Sequence, residues 1–137
     1  MAEITLEAVV ENLDAVTDFV TEQLEEMGCA MKVRMQFSIA VDELFANIAH
    51  YAYGEETGMA TVRVARSDDG RYAMVTFMDQ GVPYDPLAKE DPDIALSAEE
   101  RPIGGLGIYM VKKSMDRVTY RYEDGSNVLT IEKAIAP

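Results

Sequence analysis

Glu43 and Asn47 stand four residues apart in a stretch of helical periodicity from about Lys32 to Tyr53, so they share one helix face with Ala46 and His50. A carboxylate and a carboxamide at that spacing can meet one hydrated magnesium ion or one water network. Magnesium prefers oxygen ligands and keeps several waters, so one or two protein ligands plus phosphates suffice. The same pair also reads as part of an ordinary polar outer face. Asp42 points elsewhere on the helix, toward solvent or a cap.

Two further clusters carry possible chemistry. In Met78-Asp79-Gln80-Gly81-Val82-Pro83 an aspartate follows an apolar strand, where it can point into a pocket mouth and accept hydrogen bonds from a ligand. Gly81 would permit a tight turn or the close approach of a ligand ring. A plain turn with Asp at its first position accounts for the segment equally. In Ile103-Gly104-Gly105-Leu106-Gly107-Ile108-Tyr109, three glycines stand at the start of a helix that continues through Val111 and Met115. Glycine costs helix stability, so three at one N-terminus call for a reason. Backbone N–H groups at the positive end of a helix make a natural phosphate cradle. A flexible junction is the other reading, and no Gly-Lys-Ser/Thr follows, so this is not a Walker-type loop. His50 is the only histidine, which excludes a histidine-rich metal site. The single cysteine, Cys29, cannot form an internal disulfide and reads as a buried core residue.

These residues need elements to position them. Ile4, Leu6, Ala8 and Val10 alternate as a half-buried strand. Asn12 suits a helix N-cap, with Leu13, Val16, Phe19, Val20, Leu24 and Met27 at helical spacing and Gly28 as the stop. The second helix carries Val33, Phe37, Ala40, Val41, Leu44, Ile48 and Tyr51 on its apolar side and ends at Gly54. Met59–Arg66 and Tyr72–Met78 read as strands joined by a tight turn at Asp69-Gly70. From Asp79 to Ile103 no periodic run survives and four prolines interrupt the chain, which is the texture of a lid or binding loop. A helix from Ile108 and a closing hairpin, Val118–Tyr122 and Val128–Ile135, complete the order. Strand, two helices, two strands, loop, helix and two strands make a two-layer α/β sandwich with a mostly antiparallel sheet, and not a doubly wound fold.

Length and charge bound the rest. The 137 residues suit one domain, and 48% hydrophobic residues can fill its core. No run is long and apolar enough to span a bilayer, and the first residues lack the basic and apolar parts of a signal peptide. The expected location is therefore the cytoplasm. The net charge of -13 argues against a nucleic-acid backbone as partner. It also sits awkwardly with an anionic ligand, but the charge is uneven. Asp85 to Glu100 holds six acids against Lys89, whereas Arg101 to Lys133 holds six bases against four acids. Only that last third offers phosphate a mildly positive setting.

Together the three clusters resemble the nucleotide-binding fold shared by histidine kinases, type II topoisomerases, a heat-shock chaperone and MutL. Within it they are most similar to the small bacterial anti-sigma regulatory factors with serine-kinase activity. The resemblance spans Ile4 to Lys133, within a single domain of about 3–135. Glu43-Leu44-Phe45-Ala46-Asn47 looks like the family's first box, which implies a general base at Glu43 and a magnesium ligand at Asn47. Asp79-Gln80-Gly81-Val82-Pro83 looks like the second, which implies an acceptor for the adenine amino group at Asp79, with Gly81 beside the base. Arg101-Pro102-Ile103-Gly104-Gly105-Leu106-Gly107-Ile108 looks like the third. It lies at the hinge of an ATP lid of about 85–104, and Gly104, Gly105, Leu106 and Gly107 face phosphate, with Arg101 as an added cation. Thr130 matches a late-strand threonine near the adenine. Pro83 departs from the broad pattern, which has a second glycine there; proline removes an N–H donor and fixes the backbone.

The resemblance implies a Bergerat-type fold with helices on one face of a mixed, mostly antiparallel sheet. It implies ATP and Mg2+ as cofactors, and transfer of the γ-phosphoryl group to a serine or threonine of an anti-anti-sigma (STAS-type) partner. A sigma factor is the second expected partner, and a homodimer through the sheet is a further expectation. With His50 alone and no helical dimerisation segment, the chain is not expected to act as a self-contained phosphorelay kinase. The alternative is a non-catalytic, ATP-gated module that sequesters a sigma factor or another regulator, or an adaptor that has lost the nucleotide.

Overall fold

The computed structural model describes residues 1–88 and 106–136, with the Leu106 side chain left out. The elements follow the expected order: β1 (Ala2–Glu7), α1 (Leu13–Glu26), α2 (Met31–Tyr51), β2 (Met59–Arg66), β3 (Tyr72–Asp79), α3 (Leu106–Ser114), β4 (Arg117–Glu123) and β5 (Ser126–Ala134). Single tight helical turns at Val10–Asn12 and Pro86–Ala88 complete it. The strands form one sheet in the order β1-β2-β3-β5-β4, and each described pairing is antiparallel.

Period-two patterning decides which face the helices cover. Val62 and Val64 on β2, Ala73, Val75, Phe77 and Asp79 on β3, and Leu129 and Ile131 on β5 are in register and buried. Against them lie Val16, Val20 and Leu24 of α1, Val33, Phe37, Val41 and Leu44 of α2, and Ile108 and Val111 of α3. Each such side chain contributes about 1.5–3 kcal/mol by leaving water. Cys29 is part of this core, and burial raises its thiol above the ordinary 9.0 against the lowering influence of Arg66 and Arg34.

One strand end and one helix cap differ from the sequence reading. β1 stops at Glu7, because Val10–Asn12 turns tightly before α1. Asn12 does precede α1, but its amide donates to the Glu7 carbonyl (2.8 Å) and no side-chain cap forms. Asp69 and Gly70 make the expected turn: Gly70 has φ +76°, and the Asp69 carboxylate accepts from the Arg71 N–H (3.0 Å) and from Ser67 Oγ (2.7 Å). Among the described residues no helix is long and apolar enough to cross a membrane.

Candidate nucleotide site

The C-terminal half of α2 carries both residues of the first cluster. Asn47 stands at the border of the apolar face and shares a cavity wall with Leu44 and Ile48, while His50 is exposed and rests edge-on against Tyr51. Glu43, one turn earlier, is half-buried. Its carboxylate lies against Gly107, in the first turn of α3, so closely that a Cβ on Gly107 would overlap it. A side chain at residue 107 would thus have to displace the end of the Glu43 side chain. The first turn of a helix favours an anion, and Glu43 supplies one there.

Asp79 ends β3 and is buried, 6% exposed, in the wall of the same cavity. Its Oδ1 accepts from the Gly81 N–H (2.9 Å) and from Asn127 Nδ2 (3.0 Å). The Gly81 requirement also comes from packing: a Cβ there would overlap the Ala52 carbonyl at the end of α2, which accepts from the Val82 N–H (2.8 Å). The close approach expected of a ligand at Gly81 is thus made by the protein itself. Tyr53 braces the same loop, since its hydroxyl accepts from the Gln80 N–H (2.9 Å) and donates to the Met59 carbonyl (2.6 Å).

The cavity, of about 50 Å³, lies between α2 and the ends of β3 and β5. Phe77 and Leu129 line its floor, and Tyr51 stacks on Tyr84 at 5.9 Å between ring centres. Pro86, at the start of the expected lid, is buried against it. An apolar slot with one buried carboxylate suits a flat ring bearing a hydrogen-bond donor.

Thr130 is not part of this site. β5 alternates, so Asn127, Leu129 and Ile131 face the helices while Thr130 faces the other side of the sheet. There its hydroxyl pairs with that of Thr76 (3.0 Å). The residue of β5 that does reach Asp79 is Asn127, directly opposite it in the ladder. Asn127, Tyr84 and Tyr120 also line the cavity, and no sequence motif marks them. Arg101, Gly104, Gly105 and most of the expected lid lie outside the described residues, and Leu106 opens α3.

Oxygen donors suit magnesium, and Asn47 offers one on the cavity wall. No cluster of three or more acidic, histidine or cysteine side chains exists among the described residues. A magnesium ion held here would complete its shell with phosphate and water, which fits its usual habit.

With this geometry in place, known proteins supply the family. The model of the histidine kinase-like ATPase domain matches residues 6–133. The chain belongs to that family. Among curated relatives of this histidine kinase-like ATPase domain, the serine-protein kinase RsbW of Bacillus cereus is 32% identical over 107 residues, covering 75% of this chain and 66% of the relative. The serine/threonine-protein kinase BtrW of Bordetella bronchiseptica is 26% identical over 106 residues, covering 77% and 74%. The chain thus spans about two-thirds of the length of the RsbW relatives it matches. Among solved structures, the RsbU and RsbW domains of Rv1364c from Mycobacterium tuberculosis align with TM-score 0.65 at 15% identity, over 97% of this chain and 32% of that one. The catalytic domain of histidine kinase ThkA aligns with TM-score 0.54 at 15% identity, over 100% of this chain and 99% of that one. These structures share the fold: a two-layer α/β sandwich with an antiparallel sheet and helices on one face.

Proposed function

We propose that this chain binds ATP with magnesium and transfers its γ-phosphoryl group to a serine or threonine of a protein partner. The observation that carries this reading is the Glu43 carboxylate set against the first turn of α3, one helical turn from Asn47 on the cavity wall. Asp79 would accept the adenine amino group at the deep end. Asn47 would hold magnesium, whose charge offsets that of the triphosphate. At the far end Glu43 would take the proton of the partner's hydroxyl as its oxygen bonds to the γ-phosphorus. The bond from that phosphorus to the β–γ bridging oxygen breaks, and its electron pair leaves with ADP. Backbone N–H groups at the start of α3 would stabilise the charge on the transferred group, so positioning supplies most of the rate.

The curated relatives are named as serine-protein or serine/threonine-protein kinases, which supports a protein hydroxyl as acceptor. In this reading the acceptor is an anti-anti-sigma protein of the STAS type, a sigma factor is the second partner, and the setting is the cytoplasm. A homodimer would form through the sheet face that bears Thr76 and Thr130, which no described helix covers. Light scattering that finds only a 15.2 kDa species at high concentration would remove the dimer.

The test of the kinase reading is incubation with γ-labelled ATP, magnesium and a partner recovered by co-purification, followed by mapping of the label. Label on a partner serine or threonine is expected. Binding of ATP and of the cognate partner without any transfer would leave an ATP-gated binding module instead.

A further inference from the structure

Asn127 commits every hydrogen-bonding group of its amide to the protein. One N–H goes to Asp79 Oδ1 (3.0 Å) and the other to the Val82 carbonyl (2.9 Å). Its own oxygen accepts from the Tyr84 N–H (3.1 Å) and the Tyr120 hydroxyl (2.5 Å). An amide has two donors and two acceptor sites, so none remains for a ligand. The orientation of the amide is also determined, because a carboxylate and a carbonyl can only accept while a backbone N–H can only donate. The residue is 7% exposed, so these bonds have little competition from water.

The consequence falls on Asp79. The Asn127 amide and the Gly81 N–H both end on Oδ1. Among the described residues no hydrogen bond reaches Oδ2. The same amide holds the backbone on either side of Pro83, and so seats Tyr84 against Tyr51 beside the cavity.

We propose that Asn127 is a positioning residue that sets base selectivity: it fixes Asp79 so that one acceptor-only oxygen meets the base. This rests on the nucleotide reading above and deepens it. A base with an exocyclic amine satisfies that oxygen. A base with a carbonyl at the same place sets two acceptors against each other and leaves both unpaired. Freed from Asn127, the Asp79 carboxylate can turn, and discrimination falls even where overall affinity survives.

The experiment measures dissociation constants for ATP and for inosine triphosphate, which carries oxygen in place of the adenine amine. Wild-type protein, Asn127→Ala and Tyr120→Phe are compared by calorimetry with magnesium present, after thermal melts confirm that each is folded. The wild type is expected to prefer ATP by roughly ten- to hundredfold. In N127A that preference should shrink by about tenfold, and in Y120F, which removes one anchor of the amide, by a smaller factor. A merely structural role would weaken both nucleotides alike and leave their ratio where it was, and that result overturns the proposal. Should N127A fail to fold, the Y120F ratio decides on the same terms. A wild type that binds neither nucleotide removes the nucleotide reading and this inference with it, whereas a selective wild type with unchanged variant ratios removes this inference alone.

Discussion

The Glu43 carboxylate occupies the space that a side chain on residue 107 would need. It joins two elements far apart in sequence, the middle of α2 and the start of α3, at the end of the site assigned to phosphate. Gly81 is crowded in the same way, but by the backbone carbonyl of Ala52. The two glycines should therefore answer differently to substitution.

Gly107→Ala should leave the fold intact. The far end of Glu43 can swing aside, and alanine is the better helix former, by at most about 1 kcal/mol at this first-turn position. Phosphoryl transfer should nevertheless fall, because the displaced carboxylate no longer meets the acceptor hydroxyl. Gly81→Ala should destabilise by about 1–3 kcal/mol, since backbone must move to admit the methyl group. Thermal melts of the pair check this, and a G107A protein that melts earlier than G81A would contradict it.

Glu43→Gln keeps size and much of the hydrogen bonding but removes the base. A base acts in the transition state, so E43Q should bind ATP and the partner near wild-type affinity while transfer falls roughly 10²–10⁴-fold. Asn47→Ala should lose magnesium-dependent affinity as well as rate, because a metal ligand acts in both states. Transfer by E43Q at the wild-type rate would dismiss Glu43 as the base.

Much of this was legible in the sequence, for reasons that particular residues make plain. The periodicity of Val33, Phe37, Val41 and Leu44 defined α2 and so placed Glu43 and Asn47 on one helix. Strand parity in β5 was harder to read. Val128, Leu129, Thr130 and Ile131 are all buried, so alternation is masked and the facing residue is ambiguous by one position. The resemblance to a late-strand threonine points to Thr130, whereas the ladder turns Thr130 to the opposite face and sets Asn127 across from Asp79. The role of Gly81 was hidden for a different reason: its crowding partner, Ala52, is distant in sequence and acts through a backbone atom.

Asp79→Asn should weaken ATP binding. Substitution places an amide where Oδ1 accepts from two protein donors and, in the proposed site, the other oxygen would accept from the base. Either the Asn127 N–H or the adenine amine then meets a donor, at a cost of about 1–3 kcal/mol for a buried mismatch. Calorimetric titration reads the change directly, and equal affinities for wild type and D79N would remove Asp79 from the site.

Alkaline pH should loosen the same network. Burial holds the Tyr120 phenol above its ordinary value of 10.0; the Asp85 and Asp79 carboxylates add to this, and the Tyr84 N–H opposes it. In the unfolded chain the phenol ionises at the ordinary value, while in the folded protein it keeps its proton to higher pH. Its contribution to stability is thus fully present below about pH 10 and is lost as pH rises through the raised value. Ionisation would replace the donor to Asn127 Oδ1 with a negative oxygen facing that acceptor. The Cys29 thiol, also raised by burial, works in the same direction from a lower starting point. Tyr120→Phe removes the phenol but leaves the thiol. Denaturant unfolding from about pH 8 to about pH 11 should show wild-type stability declining more steeply than that of Y120F. At the lower end of the range Y120F should be the less stable protein, because Asn127 has lost a partner. Parallel declines would mean that the phenol titrates alike in the folded and unfolded chains, and that the hydroxyl does not anchor Asn127.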